Sequence, residues 1–228
     1  MEISPVQLKS LLSSALKTAI QVKGKDRFIG RSHSNSLRSA KFVSEVADRL
    51  FEFYRGDEAI IPFVQRVDES GIKKPGEWLF DISIAESVPL LEGKSKPRVN
   101  TRLVWAVESE YSTRREEFTK DFGKLLCARA VNRLYLNGFN HAIGLEGTFI
   151  DRRAVEASEF MKRALLYKTG QSLEGISQGN LYLAFWPSPE RDPKCSGSLW
   201  DTSEADDILK RLRLYAFDWM AAEFKIVL

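Results

Sequence analysis

The first twenty residues carry apolar side chains at helical spacing, Leu8, Leu11, Leu12, Ala15 and Ile20, behind Ser4 as a cap and Pro5 at the first helical position. A glycine- and serine-bearing loop over 24–36 separates this helix from a second one, predicted from about Ser36 to Gly56. Its apolar stripe is Leu37, Ala40, Val43, Ala47, Leu50, Phe51 and Tyr54. The period then changes. Residues 59–67 (AIIPFVQRV) read as a strand, with Pro62 marking an edge or a bulge. Residues 78–84 (WLFDISI) read as a second strand and 102–107 (RLVWAV) as a third, while 87–100, with two prolines, a glycine and several charges, reads as a loop.

A long amphipathic helix is predicted over about 113–136, burying Phe118, Phe122, Leu125, Leu126, Ala130 and Leu134. Cys127 falls near that buried side and reads as a small core residue. A further helix over 151–167 and a strand over 180–186 (NLYLAFW), stopped by Pro187, complete the central part. A polar loop over 187–198 and a short helix over 203–212 capped by Ser203 follow. The aromatic content of 214–228 favours strand, and its Met220-Ala221-Ala222 stretch favours helix. Helices alternating with strands in this order predict an α/β protein with a mixed sheet and helices packed on it.

Composition narrows the possibilities. A chain of 228 residues that is 43% hydrophobic and 29% charged has ample apolar surface to offset the entropy of ordering. No apolar run approaches the roughly 20 residues that cross a bilayer, and the N-terminal ten residues lack a secretory signal layout. The two cysteines, Cys127 and Cys195, lie far apart and outside any zinc-ribbon spacing, which fits a reducing compartment and a cytoplasmic location. With only His33 and His141, histidine-rich zinc hydrolases are excluded and a Ser-His-Asp triad is disfavoured. The formal charge of +3 does not by itself argue for nucleic acid. Chemistry in this chain is expected to run on carboxylates and lysines.

Those carboxylates stand out against apolar surroundings. Asp81 sits inside WLFDISI, and Glu108 and Glu110 end RLVWAVESE. Strand residues two apart share a face, so Glu108 and Glu110 project together with Ser109 opposite. If the two strands are neighbours, Asp81 converges with Glu108. A charge in so apolar a run is costly unless it is paired or binds metal. Converging carboxylates suit Mg²⁺, which takes oxygen ligands and keeps waters for a phosphate. Lys120 and Lys124, four apart on one face of the following helix, would help hold a nucleophile or stabilise charge on phosphorus. Each residue also has a plainer reading: an arginine partner for Asp81, a solvated strand exit for Glu108 and Glu110, and a solvated helix face for the lysines.

An acid in one strand followed by a glutamate in the E-x-K position of the next resembles the PD-(D/E)xK nuclease superfamily, over about 36–186. The resemblance implies a restriction-endonuclease-like mixed β-sheet flanked by helices, in one domain. Residues 1–35 would be an N-terminal helix and basic loop, 36–186 the nuclease-like core and 187–228 a C-terminal extension. It also implies Mg²⁺- or Mn²⁺-dependent phosphodiester hydrolysis, with Asp81 and Glu108 as metal ligands. Glu45 of the preceding helix is the candidate for a further acid, although Lys41 and Arg49 stand at ion-pairing distance along that helix. The chain departs from the pattern at Phe80, where a proline is common, and at Glu110, in the lysine position. Some members carry E-x-E there or draw the lysine from the next helix, a role that falls here to Lys124, with Lys120 second.

Basic residues outnumber acids between Lys23 and Arg55. Lys25, Arg27, Arg31 and Arg38, with Lys94 and Lys96 between the motif strands, are the candidate contacts to a nucleic-acid backbone. A solvated basic loop explains the same residues equally well. The expected substrate is nucleic acid, DNA more than RNA. A homodimer or a place in a larger assembly is plausible, and no membrane is implied. The alternative is a non-catalytic nucleic-acid- or protein-binding module on the same fold, with Glu110 in the lysine position as its mark.

Overall fold

The computed structural model describes residues 2–21, 31–64, 66–67, 73–74, 79–90, 97–110, 114–139, 147–168, 179–189 and 199–228. It is an α/β molecule built on a seven-stranded mixed sheet. Helix α1 (Pro5–Ile20) begins as its sequence directs: the Ser4 hydroxyl accepts from the Gln7 amide at 3.3 Å, and the Gln7 side chain accepts from the Ser4 amide at 2.9 Å. Helix α2 (Arg31–Glu52) starts five residues before the predicted Ser36. Gly56, at φ 95°, then turns the chain into the sheet.

The first three sheet strands form a meander. Strands β1 (Ile60–Val64) and β4 (Ile82–Pro89) are antiparallel, as are β4 and β5 (Arg98–Glu110). Strands β2 (Arg66–Val67) and β3 (Lys73–Lys74) form a separate small ribbon between β1 and β4. Pro62 lies in β1, the edge strand, where a missing amide is tolerated. Both β4 and β5 reach into the segment predicted as loop, because their outer halves pair with each other, Val88 with Val99 and Pro89 with Arg98. Asp81 immediately precedes β4 rather than sitting within a strand.

After helix α3 (Arg115–Cys127) the chain enters β6 (Ala130–Phe139), parallel to β5. The long helix predicted over 113–136 is therefore two elements. Strand β6 is central and buried on both faces, and its Ala130 and Leu134, four apart, continue a helical stripe as well as they fit a strand. Helix α4 (Gly147–Lys168) leads to β7 (Asn180–Pro187), parallel to β6. Two short helices, α5 (Leu199–Thr202) and α6 (Ala205–Leu209), precede the antiparallel strands β8 (Arg213–Asp218) and β9 (Glu223–Ile226). Glu204, not Ser203, is the N-cap of α6. The Met220–Ala222 stretch is the turn between the last two strands.

The sheet separates two cores. On one face α1 and α2 bury Leu8, Leu12, Phe42, Val46 and Leu50 against Ile82, Ile84, Trp105, Val107 and Leu136. On the other, Phe118, Phe122 and Leu125 of α3 and Ala157 and Met161 of α4 cover Ala106, Tyr135, Leu183 and Phe185. A bulge at Val104 resets the alternation of β5: Ile84 pairs with Trp105 and Ala85 with Leu103. Asn132 donates to the Val104 carbonyl at 3.2 Å, satisfying a group that the bulge takes out of the ladder. Beyond it Trp105 and Val107 face α2, while Ala106 and Glu108 face α3. Among the described residues no helix is long and apolar enough to cross a membrane.

Candidate active site

Register brings the predicted acids together. Ile82 pairs with Val107, and one step further along this antiparallel ladder Asp81 stands opposite Glu108, on the same face. The Asp81 carboxylate accepts a 2.6 Å hydrogen bond from the Ser109 amide, which fixes it across the strand pair. Glu108 is 5% exposed, set beside the aromatic layer of Phe118, Phe122 and Tyr135. Burial, and next the neighbouring Asp81 charge, push its carboxyl up to about 7 from an ordinary 4.5, against the pull of Lys124.

Helix α3 lies over this face and supplies the cation. The Lys124 ammonium is 2.8 Å from Asp121 Oδ1 and 3.4 Å from Glu108 Oε2. Its pKa is raised, first by the hydrogen bond to Asp121 and also by Glu108. Lys120 is exposed on α3, and no contact ties it to the acids. Glu110 ends β5, where Asn137 of β6 donates to its backbone carbonyl at 3.1 Å. Its carboxylate lies with those of Glu117 and Asp121, oxygens within 4.8 Å of one another.

Glu117 and Asp121 were not predicted as site residues, yet a signal was present. Glu117, Asp121 and Lys124 recur at i, i+4 and i+7, one helical face beside the apolar stripe. Tyr135 was hidden by the helical reading of β6. Its ring packs edge-on against Phe118 and Phe122, with centroids 5.2 and 5.9 Å away. Beside Lys124 a cavity of about 500 Å³ opens between Phe80, Leu103, Ala128 and Arg129. Cys127 also lines it and is exposed rather than in the core.

Two expectations are corrected. Glu45 does not join the acids: it pairs with Lys41 at 2.7 Å and Arg49 at 3.3 Å on α2, and α2 covers the opposite face of the sheet. Arg38 is buried and bonded to Asp201 at 2.6 Å, fastening α2 to α5, so it presents no free guanidinium to a phosphate. Arg31 begins α2. Lys25, Arg27, Lys94, Lys96 and His141 lie outside the described residues, and the side chains of Arg31 and His33 are likewise not described. Compared with protein-family models, curated proteins and solved structures, the chain matches none.

Proposed function

We propose that the chain is a metal-dependent phosphodiesterase acting on nucleic acid, with DNA the favoured substrate. The observation that carries this reading is the buried Glu108 beside Asp81, with the Lys124 ammonium against Glu108. Burial and the Asp81 charge raise the proton affinity of Glu108, and a cation beside it favours its ionised form at neutral pH. The donor set is all oxygen and suits Mg²⁺ or Mn²⁺, with Asp81 and Glu108 as the residues that would hold it. When bound, such an ion supplies Lewis acidity to a water and to a phosphoryl oxygen.

The protein's own groups do the rest. Asp81 is held by the Ser109 amide, which fixes the direction of its carboxylate. Glu108 is fixed by burial in the sheet and by Lys124. Lys124, tethered by two acids and half-exposed, can hold a proton beside the phosphate and offset charge developing on phosphorus. The order α2, three-stranded meander, α3 and a parallel strand agrees with a restriction-endonuclease-like arrangement, and supports the resemblance to PD-(D/E)xK nucleases with the lysine moved from position 110 to position 124.

The test is cleavage of circular DNA in Mg²⁺ or Mn²⁺. Asp81→Asn keeps an oxygen to accept from Ser109 and is expected to fold normally, yet to lose activity roughly a hundredfold or more, as is Lys124→Met. Equal activity in Asp81→Asn and the wild type would end the proposal. Glu110 in the lysine position favours a second reading, a nucleic-acid- or partner-binding module. DNA retention without cleavage under any divalent ion would select it.

A further inference from the structure

A second acidic group adjoins the one just described. Glu110 at the end of β5 and Glu117 and Asp121, one turn apart on α3, bring carboxylate oxygens within 4.8 Å of one another. Asp121 is 8% exposed. Three like charges this close repel unless a cation lies among them. Lys124 reaches Asp121 at 2.8 Å but is shared with Glu108, and Glu117 has no ion pair among the described residues.

An independent observation points to a missing partner at the same place. The Tyr135 hydroxyl is fully buried and has no hydrogen-bond partner among the described residues. It lies within electrostatic reach of Glu110 first, then Asp121, Arg153 and Glu108. The cation nearby, Arg153, sits 5.0 Å over the Phe118 ring and 3.3 Å from Glu156. A buried hydroxyl that lacks a partner calls for an unseen water or ion.

We propose that Glu110, Glu117 and Asp121 hold a divalent cation of the hard, oxygen-preferring class, at a seat distinct from that between Asp81 and Glu108, with the Tyr135 hydroxyl bonded to a water on that ion. Oxygen-only ligands, two of them from one helix face, match Mg²⁺, Mn²⁺ or Ca²⁺ and exclude sulfur-seeking metals. The proposal also gives Glu110 a use. With Lys124 arriving from α3, residue 110 is released from carrying an ammonium and can serve as a ligand. The inference goes beyond the hydrolytic reading, which needs only the ion at Asp81 and Glu108.

The test counts ions on the full chain with Mn²⁺ alone, by electron paramagnetic resonance titration, while thermal unfolding confirms that each variant is folded. The wild type is expected to bind two ions, Glu117→Gln one, and Asp81→Asn one that still requires Glu117. A Glu117→Gln variant that matches the wild type in number and affinity overturns the proposal, as does an Asp81→Asn variant that binds none. An Asp81→Asn variant that matches the wild type, beside a Glu117→Gln variant that loses an ion, keeps this seat and removes the other. Should Glu117→Gln fail to fold, Tyr135→Phe removes only the hydroxyl and is expected to weaken one ion about tenfold. Unchanged affinity there overturns the proposal.

Discussion

At the scale of single residues, Glu108 is where burial and charge conflict. Its carboxyl is held at about 7 in the folded chain, first by burial and then by Asp81, against an ordinary 4.5. Between those values the folded state keeps a proton that the unfolded chain has released. The contribution of Glu108 to stability is therefore full below about 4.5 and is lost as pH rises through about 7. Glu108→Gln has the same shape and no charge. Denaturant unfolding at pH 8 should find it more stable than the wild type by roughly 1–3 kcal/mol, with the difference vanishing near pH 4. Saturating Mg²⁺ should erase most of that advantage by stabilising the wild type more than the variant. A variant that tracks the wild type at both pH values would show that Glu108 is not strained. The pairing of Asp81 with Glu108 was legible in the sequence because period-two alternation and an acid amid apolar residues both survive without coordinates. The diversion of Glu45 was equally visible, as Lys41 and Arg49 stand four residues either side of it.

At the scale of elements, β6 and β7 are closely joined. Gly179 enters β7 against the backbone of β6: a Cβ there would fall 2.5 Å from the Ala130 carbonyl oxygen and 2.4 Å from that of Val131. Asn180 then bonds Asn132 at 2.9 Å and Glu2 at 2.7 Å, tying the N-terminal segment to both strands. Gly179→Ala must push the two strands apart, and a loss of roughly 1–3 kcal/mol is expected by chemical denaturation. Full stability in that variant would mean the approach relaxes freely. The break between α3 and β6 escaped the sequence for a related reason. No glycine or proline interrupts Cys127-Ala128-Arg129-Ala130, and Leu126, Ala130 and Leu134, each four apart, carry a helical stripe across the break. The paired outer halves of β4 and β5 escaped because prolines and charges at a sheet margin look like those of a loop. Cap chemistry was legible where it is local, at Ser4 and Pro5, and misread at Ser203, where Glu204 takes the cap position.

At the scale of the whole molecule, the sheet separates two unlike sets of side chains. The α1–α2 face is a closed structural core, in which Arg38 and Asp201 tie helices 163 residues apart in sequence. The α3–α4 face carries every acid of the candidate site together with Lys124. A net charge of +3 conceals this division, since bulk composition averages a local acidic concentration against basic residues elsewhere. Asp81 at the start of β4, Glu108 near the end of β5 and Lys124 on α3 meet only because a meander and a crossover place them side by side. Anomalous diffraction from crystals of this chain soaked in Mn²⁺ tests that convergence most directly. A peak in contact with carboxylate oxygens of both Asp81 and Glu108 is the predicted result. Crystals whose Mn²⁺ peaks all lie away from this pair, with the Lys124 ammonium filling the space between the two acids, would contradict it.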